Sequence, residues 1–155
     1  LKNLYRLSGY IAAIFLILVA TFILTGIASR IFGFYIRGLA EYSGYCMAAS
    51  SFLALAYTFG EKGHIRITLF LEKSNKSIRG FLELWCLSAA TIFSGFLSFY
   101  FIKMLIISIK FQERSEGADE ILIWIPQVSV ALGSTIFFIC VLHNFILLIL
   151  KNNNK

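Results

Sequence analysis

Along the chain, ionisable residues fall into clusters that separate four long apolar runs. Leu7 to Ser29, Tyr42 to Gly60 and Leu84 to Ile102 carry no ionisable residue, and Ile121 to Leu150 carries only His143. An α-helix rises about 1.5 Å per residue, so about 20 apolar residues cross a hydrocarbon core roughly 30 Å thick. Every run reaches that length. In hydrocarbon a continuous apolar stretch must satisfy its backbone polar groups within itself, which leaves the helix as the spanning element. The pattern therefore predicts an all-α integral membrane protein, one domain over 1–155, with four transmembrane helices at about 7–29, 42–60, 84–102 and 121–150. The second run is rich in Ser, Ala and Gly and is the least hydrophobic of the four.

One patterned insert interrupts the oily sequence. Between the second and third runs stands Gly60-Glu61-Lys62-Gly63-His64-Ile65-Arg66-Ile67-Thr68-Leu69-Phe70-Leu71-Glu72-Lys73. Ile65 to Leu71 is too short to span, and its apolar residues between charges predict a short amphipathic segment in the headgroup layer. The same residues alternate with period two, so a strand-like or irregular stretch competes with a helix there. His64, Arg66, Lys73, Lys76 and Arg79 read as interfacial anchors at the phosphate level, and Ser74 or Ser77 as a cap for the third helix. Trp124, just ahead of Pro126, reads as an aromatic anchor where the last span begins. Pro126 falls in the first turn, where a missing N–H is harmless.

Composition supports the environment. Of 155 residues, 59% are hydrophobic and 14% charged, with a mean hydropathy of +0.81. Ordinary soluble domains are about 45–50% apolar and about 25% charged. Four spans put the termini and the middle insert on one side. That side holds nine of the basic residues (Lys2, Arg6, Lys62, Arg66, Lys73, Lys76, Arg79, Lys151, Lys155) against five on the other (Arg30, Arg37, Lys103, Lys110, Arg114). The excess predicts cytoplasmic termini. The net charge of +6 then reads as attachment to anionic lipid and gives no reason to expect nucleic acid. Lys2 and Arg6 precede a first run longer than the 7–15 residues of a secretory signal core, so a retained anchor is expected.

The connections are short. Arg30 to Ala40 forms an outer loop with Gly33 and Gly38 as helix breakers, and Glu113 to Glu120 forms an acidic outer loop around Arg114. Lys103 and Lys110 follow the third run at helical spacing, which extends that helix toward the outer surface with snorkelling lysine stems. Small residues recur at i, i+4 spacing: Gly44, Ala48 and Ser51 in the second run, Ser88, Thr91, Gly95 and Ser98 in the third, Ser129 and Gly133 in the fourth. Such stripes let membrane helices approach closely, within the chain or toward a partner.

Candidate chemistry is sparse. Intramembrane ionisable groups mark function by default, and His143 is the candidate well inside a span. As a haem ligand it needs a second histidine at matching depth, for which His64 is the available residue; an interfacial histidine is the simpler reading. Glu41, beside Arg37, reads as a boundary marker at the outer end of the second span. Cys46, Cys86 and Cys140 are scattered within the runs and form neither a CxxC pair nor a zinc-ligand spacing. No nucleophile–base constellation or phosphate loop is visible, so neither catalysis nor a cofactor is expected. Broken helices and repeated halves, the marks of a complete carrier, are missing as well.

The order of features resembles a known family. A glutamate opens a small-residue-rich second helix, a charged turn with Gly63-His64-Ile65-Arg66-Ile67 follows it, and Trp124-Ile125-Pro126-Gln127 begins the last helix. This is similar to the small membrane subunit, the DctQ type, of tripartite ATP-independent periplasmic (TRAP) transporters. Many members have a Glu-Glu pair where Glu41 stands alone, and an Asp where Thr68 stands. The resemblance implies a non-catalytic scaffold in the bacterial inner membrane. It would serve a large elevator subunit that holds the substrate and sodium sites, with a periplasmic binding protein delivering an organic acid. It also implies roles to test. Gly44, Ala48, Ser51, Thr91, Gly95 and Ser98 would pack helices or contact the large subunit, and Arg30, Arg37, Glu116, Asp119 and Glu120 would meet the binding protein. A self-contained small carrier, or an auxiliary subunit of another membrane complex, is the alternative.

Overall fold

The computed structural model describes residues 2–60, 76–117 and 120–153. Within them lie four long helices: α1 (Lys2–Ile31), α2 (Leu39–Gly60), α3 (Lys76–Phe111) and α4 (Trp124–Asn153). No strand occurs among the described residues, and an isolated antiparallel bridge joins Arg114 to Leu122. Three helices contain stretches long and apolar enough to cross a membrane: Asn3–Ile31, Leu82–Phe111 and Trp124–Leu150. The chain is a multi-pass membrane protein. α2, with Glu41 in its first turn and many small and hydroxylated residues, is not one of the three.

The helices overrun the apolar windows that predicted them. α3 runs from Lys76 to Phe111 rather than 84–102 and takes in Lys103 and Lys110, both exposed. Charged residues at such positions do not break backbone hydrogen bonding, because long aliphatic stems reach along the apolar surface. The last helix starts at Trp124 rather than Ile121, because Ser115 N donates to Ile121 O at 2.7 Å and Ile123 N to Glu113 O at 3.0 Å. These bonds commit residues 121–123 to the preceding loop. Between α1 and α2 the expected breakers appear at the expected places: Gly33 (φ 75°) and Gly38 (φ 76°) adopt the left-handed conformation that glycine reaches without a Cβ clash. The predicted interfacial segment, Ile65 to Leu71, lies outside the described residues, as do His64, Arg66, Lys73 and Ser74.

Side-chain pairings set the register. α1 and α2 run antiparallel along the whole of α2. The Tyr5 ring lies against Gly60 and the Tyr57 ring against Gly9. Ser50 Oγ donates to Ala12 O at 2.9 Å, and Leu39 packs on Gly26. α2 then packs on α4 in parallel, with Gly133 on the Phe52–Leu53 backbone and the Phe59 and Phe137 rings edge to face at 5.5 Å. α4 pairs antiparallel with α3 through Ser98 and Thr135, whose hydroxyls are 3.1 Å apart, and through Phe138 over Gly95. Phe101 of α3 also reaches Phe52 of α2, rings 5.2 Å apart. The resulting order is α1–α2–α4–α3, with α1 and α3 at the two edges.

Small residues hold this arrangement together. The buried positions include Ala12, Ala49, Ser50, Ala56, Ser94, Ser98, Ala131 and Ser134. Lipid tails are as apolar as leucine, so helices gain little by hiding hydrocarbon from them. Close backbone approach and interhelical hydroxyl bonds supply the attraction instead. The seam of α2 passes through Ala49, Ser50, Leu53 and Ala56. Of the stripe read from sequence, Gly44 and Ser51 are exposed and Ala48 is half-buried. One residue along a helix is a turn of about 100°, and α2 carries small residues on more than one face. The presence of two neighbours, α1 and α4, decides which face is used inside the chain.

Candidate functional site

The two connections at residues 32–38 and 112–123 lie at one end of the bundle, here the loop end. The longer one is folded onto itself. Gln112 (φ 50°) turns the chain out of α3 in the left-handed region, and Glu120 (φ 46°) turns it back. Between them the Arg114–Leu122 bridge closes a small hairpin. Ser108, fully buried near the end of α3, donates its hydroxyl to Glu113 Oε2 at 2.7 Å, which ties the start of the loop to the helix.

Two groups on α2 meet this loop. The Tyr45 hydroxyl and Ser115 Oγ are 2.9 Å apart. One turn earlier, the Glu41 carboxylate lies directly against Gly117, in space that any Cβ at that position would occupy. Gly117 N donates to Ser115 Oγ at 3.3 Å, so the contacted residues are themselves linked. Glu41 also borders a cavity of about 340 Å³ between the end of α1 and the start of α2. Phe22, Ile27 and Leu39 form its apolar part, and Ser29, Arg30 and Ser43 its polar rim.

The charged residues assigned to the outer loops lie on this end. Arg30, Arg37, Glu116 and Glu120 are exposed, and Asp119 lies outside the described residues. Arg114 and Glu120 form an ion pair at 3.7 Å with both side chains well exposed. Such a pair contributes little to stability, typically about 0–1 kcal/mol. It leaves a charged, hydrogen-bonding surface of mixed sign. Trp124 begins α4 immediately beneath it, half-buried, with Ile125 N donating to Leu122 O at 3.2 Å.

The remaining named positions separate. Thr91, Gly95 and Ser98 follow the α3–α4 contact; Thr91 Oγ1 donates back to Leu87 O at 2.7 Å, and Ser98 is buried. Lys76 and Arg79 fall in the first turn of α3, at the opposite end from the loops. Among the described residues no three of His, Cys, Asp or Glu come together as a metal site, and Cys46, Cys86 and Cys140 carry free thiols. His143 is half-buried on α4. By sequence Glu41 reads as a boundary marker, and Tyr45, Ser115 and Gly117 are not singled out. Tyr45 and Ser115 are 70 residues apart in the chain, and no local pattern joins them. Gly117 among acidic residues was the one available cue to a tight turn.

No curated protein and no solved structure matches the chain significantly. A family profile, the DctQ component of tripartite ATP-independent periplasmic transporters, matches residues 18–151 and so takes in part or all of each of the four helices. The chain belongs to the DctQ family and is a small membrane component of a TRAP transporter.

Proposed function

We propose that this chain is a non-catalytic scaffold in a sodium-driven TRAP transporter for an organic acid. It enlarges the static part of a large elevator subunit in the bacterial inner membrane and helps dock a periplasmic substrate-binding protein. Substrate and sodium belong to the large subunit. The observation that carries the reading is the family match across all four helices, in a bundle held by small-residue packing and hydrogen-bonded serines. Each of the buried serines 8, 29, 50, 94, 98, 108 and 134 takes part in a hydrogen bond. Such an interior suits a rigid support.

α2 acts as the fourth span in this reading. It follows α1 from Tyr5–Gly60 to Gly26–Leu39, and a helix of 22 residues is about 33 Å long. A helix paired throughout with a spanning neighbour crosses the same depth. Both termini then lie in the cytoplasm, by the excess of Lys and Arg on that side. The loop end faces the periplasm. The insert from His64 to Lys73, with Lys76 and Arg79, braces the scaffold at the cytoplasmic lipid surface, and Trp124 anchors the other interface. Gly44 and Ser51, turned outward, are available to the large subunit. Arg30, Arg37, Glu116, Asp119 and Glu120 meet the binding protein.

Affinity purification of the tagged chain tests the scaffold. A large membrane protein should co-purify, and transport in liposomes should require both chains and the loaded binding protein. A tagged chain that emerges alone and moves a solute alone overturns the reading. Reversing charge at Glu116, Asp119 and Glu120 should weaken dependence on the binding protein; unchanged uptake refutes the docking role.

A further inference from the structure

We propose that Glu41 and Tyr45, on the first two turns of α2, are positioning residues that clamp the α3–α4 connection to the head of α2 and hold the docking surface in one shape. The inference rests on the reading of the loop end as a docking surface.

Four observations support the clamp. The connection contains two non-glycine residues in the left-handed region, Gln112 and Glu120, and such conformations persist where the surroundings over-determine them. Its hairpin bonds define its own shape but do not fix where that shape sits on the bundle. Its start is tied to α3 by Ser108 and Glu113, and its side toward α2 is held by Tyr45 to Ser115 at 2.9 Å and by the Glu41 carboxylate against Gly117. The last contact depends on glycine, because a Cβ at 117 would fill the carboxylate's place. Finally, Glu41 borders the cavity shared with Arg30 and Gly38, so one side chain lies between both loops of this end.

A docking surface that is already ordered does not lose loop entropy when its partner arrives, and that saving appears as affinity. The exposed charges Arg114, Glu116 and Glu120 sit on the clamped segment. Loosening the clamp should therefore weaken docking without altering transport once docking is saturated.

Three variants test this in the complex with the large subunit. Tyr45→Phe removes a single oxygen. Gly117→Ala forces the Glu41 carboxylate, the far end of a flexible side chain, to swing away. Ser115→Thr keeps the hydroxyl and serves as the conservative rescue. Limited trypsin cleavage after Arg114 reports opening of the loop when opening is fast relative to cleavage. Tyr45→Phe should raise it about fivefold, the ratio that corresponds to one neutral hydrogen bond, and Gly117→Ala should raise it as well. Ser115→Thr should stay near the parent. In proteoliposomes the half-saturating concentration of loaded binding protein should rise by a similar factor at unchanged maximal rate. Unchanged cleavage and half-saturation in both variants overturn the clamp, and so does faster cleavage with unchanged half-saturation. Charge reversal at Glu116 and Glu120 reads the docking surface separately. An effect there with none from Tyr45→Phe and Gly117→Ala overturns the clamp alone, whereas no effect from the reversals overturns the docking reading.

Discussion

Gly133 is where the fold is most exposed to a single methyl group. An added Cβ there would stand 2.8 Å from the Phe52 carbonyl carbon, 2.8 Å from its Cβ and 3.0 Å from Leu53 N. Two of those three atoms are backbone, so no side-chain rotation relieves the clash. Carbon atoms pack at about 3.5–4.0 Å, so α2 and α4 must move apart by roughly 0.7–1.2 Å. A gap of about 0.5–1 Å forfeits a quarter to a half of the attraction between facing atoms. Overpacking of this kind costs about 1–3 kcal/mol. Ala also gains up to about 1 kcal/mol over Gly in helix propensity, which would mask part of the loss. Gly44 supplies the correction, because an added Cβ there meets nothing within 4 Å. The difference between Gly133→Ala and Gly44→Ala cancels the propensity gain and should leave about 1–3 kcal/mol of destabilisation at Gly133. Reversible unfolding of the purified subunit in mixed micelles titrated with SDS measures both. A difference below about 0.5 kcal/mol, within the range of an ordinary surface substitution, would refute the close α2–α4 crossing.

Further outcomes follow from the same packing. Ser50→Ala removes the hydroxyl bond to Ala12 O and should cost about 0.6 kcal/mol in the same titration, the average found for interhelical hydrogen bonds in a membrane protein. A double-mutant cycle on Ser98 and Thr135 should give a coupling of similar size; zero coupling would show that their 3.1 Å contact contributes nothing. Gly38→Ala places a Cβ at φ 76° and should destabilise by about 1–2 kcal/mol, the penalty for an L-residue in left-handed backbone.

Much of this molecule was legible in one dimension. Apolar runs report burial in lipid or protein, a property each residue carries alone, so three spans and the positions of all four helices follow from them. Gly33 and Gly38 were legible for a related reason, since left-handed backbone has a strong local preference for glycine. Family membership could be read from Gly63-His64-Ile65-Arg66-Ile67 and its place between the second and third runs. Helix ends were less accurate, because a lysine does not halt a helix and Ile121 to Ile123, though apolar, found partners in a hairpin.

Only the tertiary structure decided which faces meet. α2 carries small residues at Gly44, Ala48 and Ser51 and again at Ala49, Ser50 and Ala56. Periodicity alone cannot rank two such stripes; the presence of α1 on one side and α4 on the other does. The contacts from Glu41 and Tyr45 to Gly117 and Ser115 belong to the same class. Composition and period are sums over neighbours in sequence, whereas a clamp between residues 70 positions apart exists only once the helices have packed.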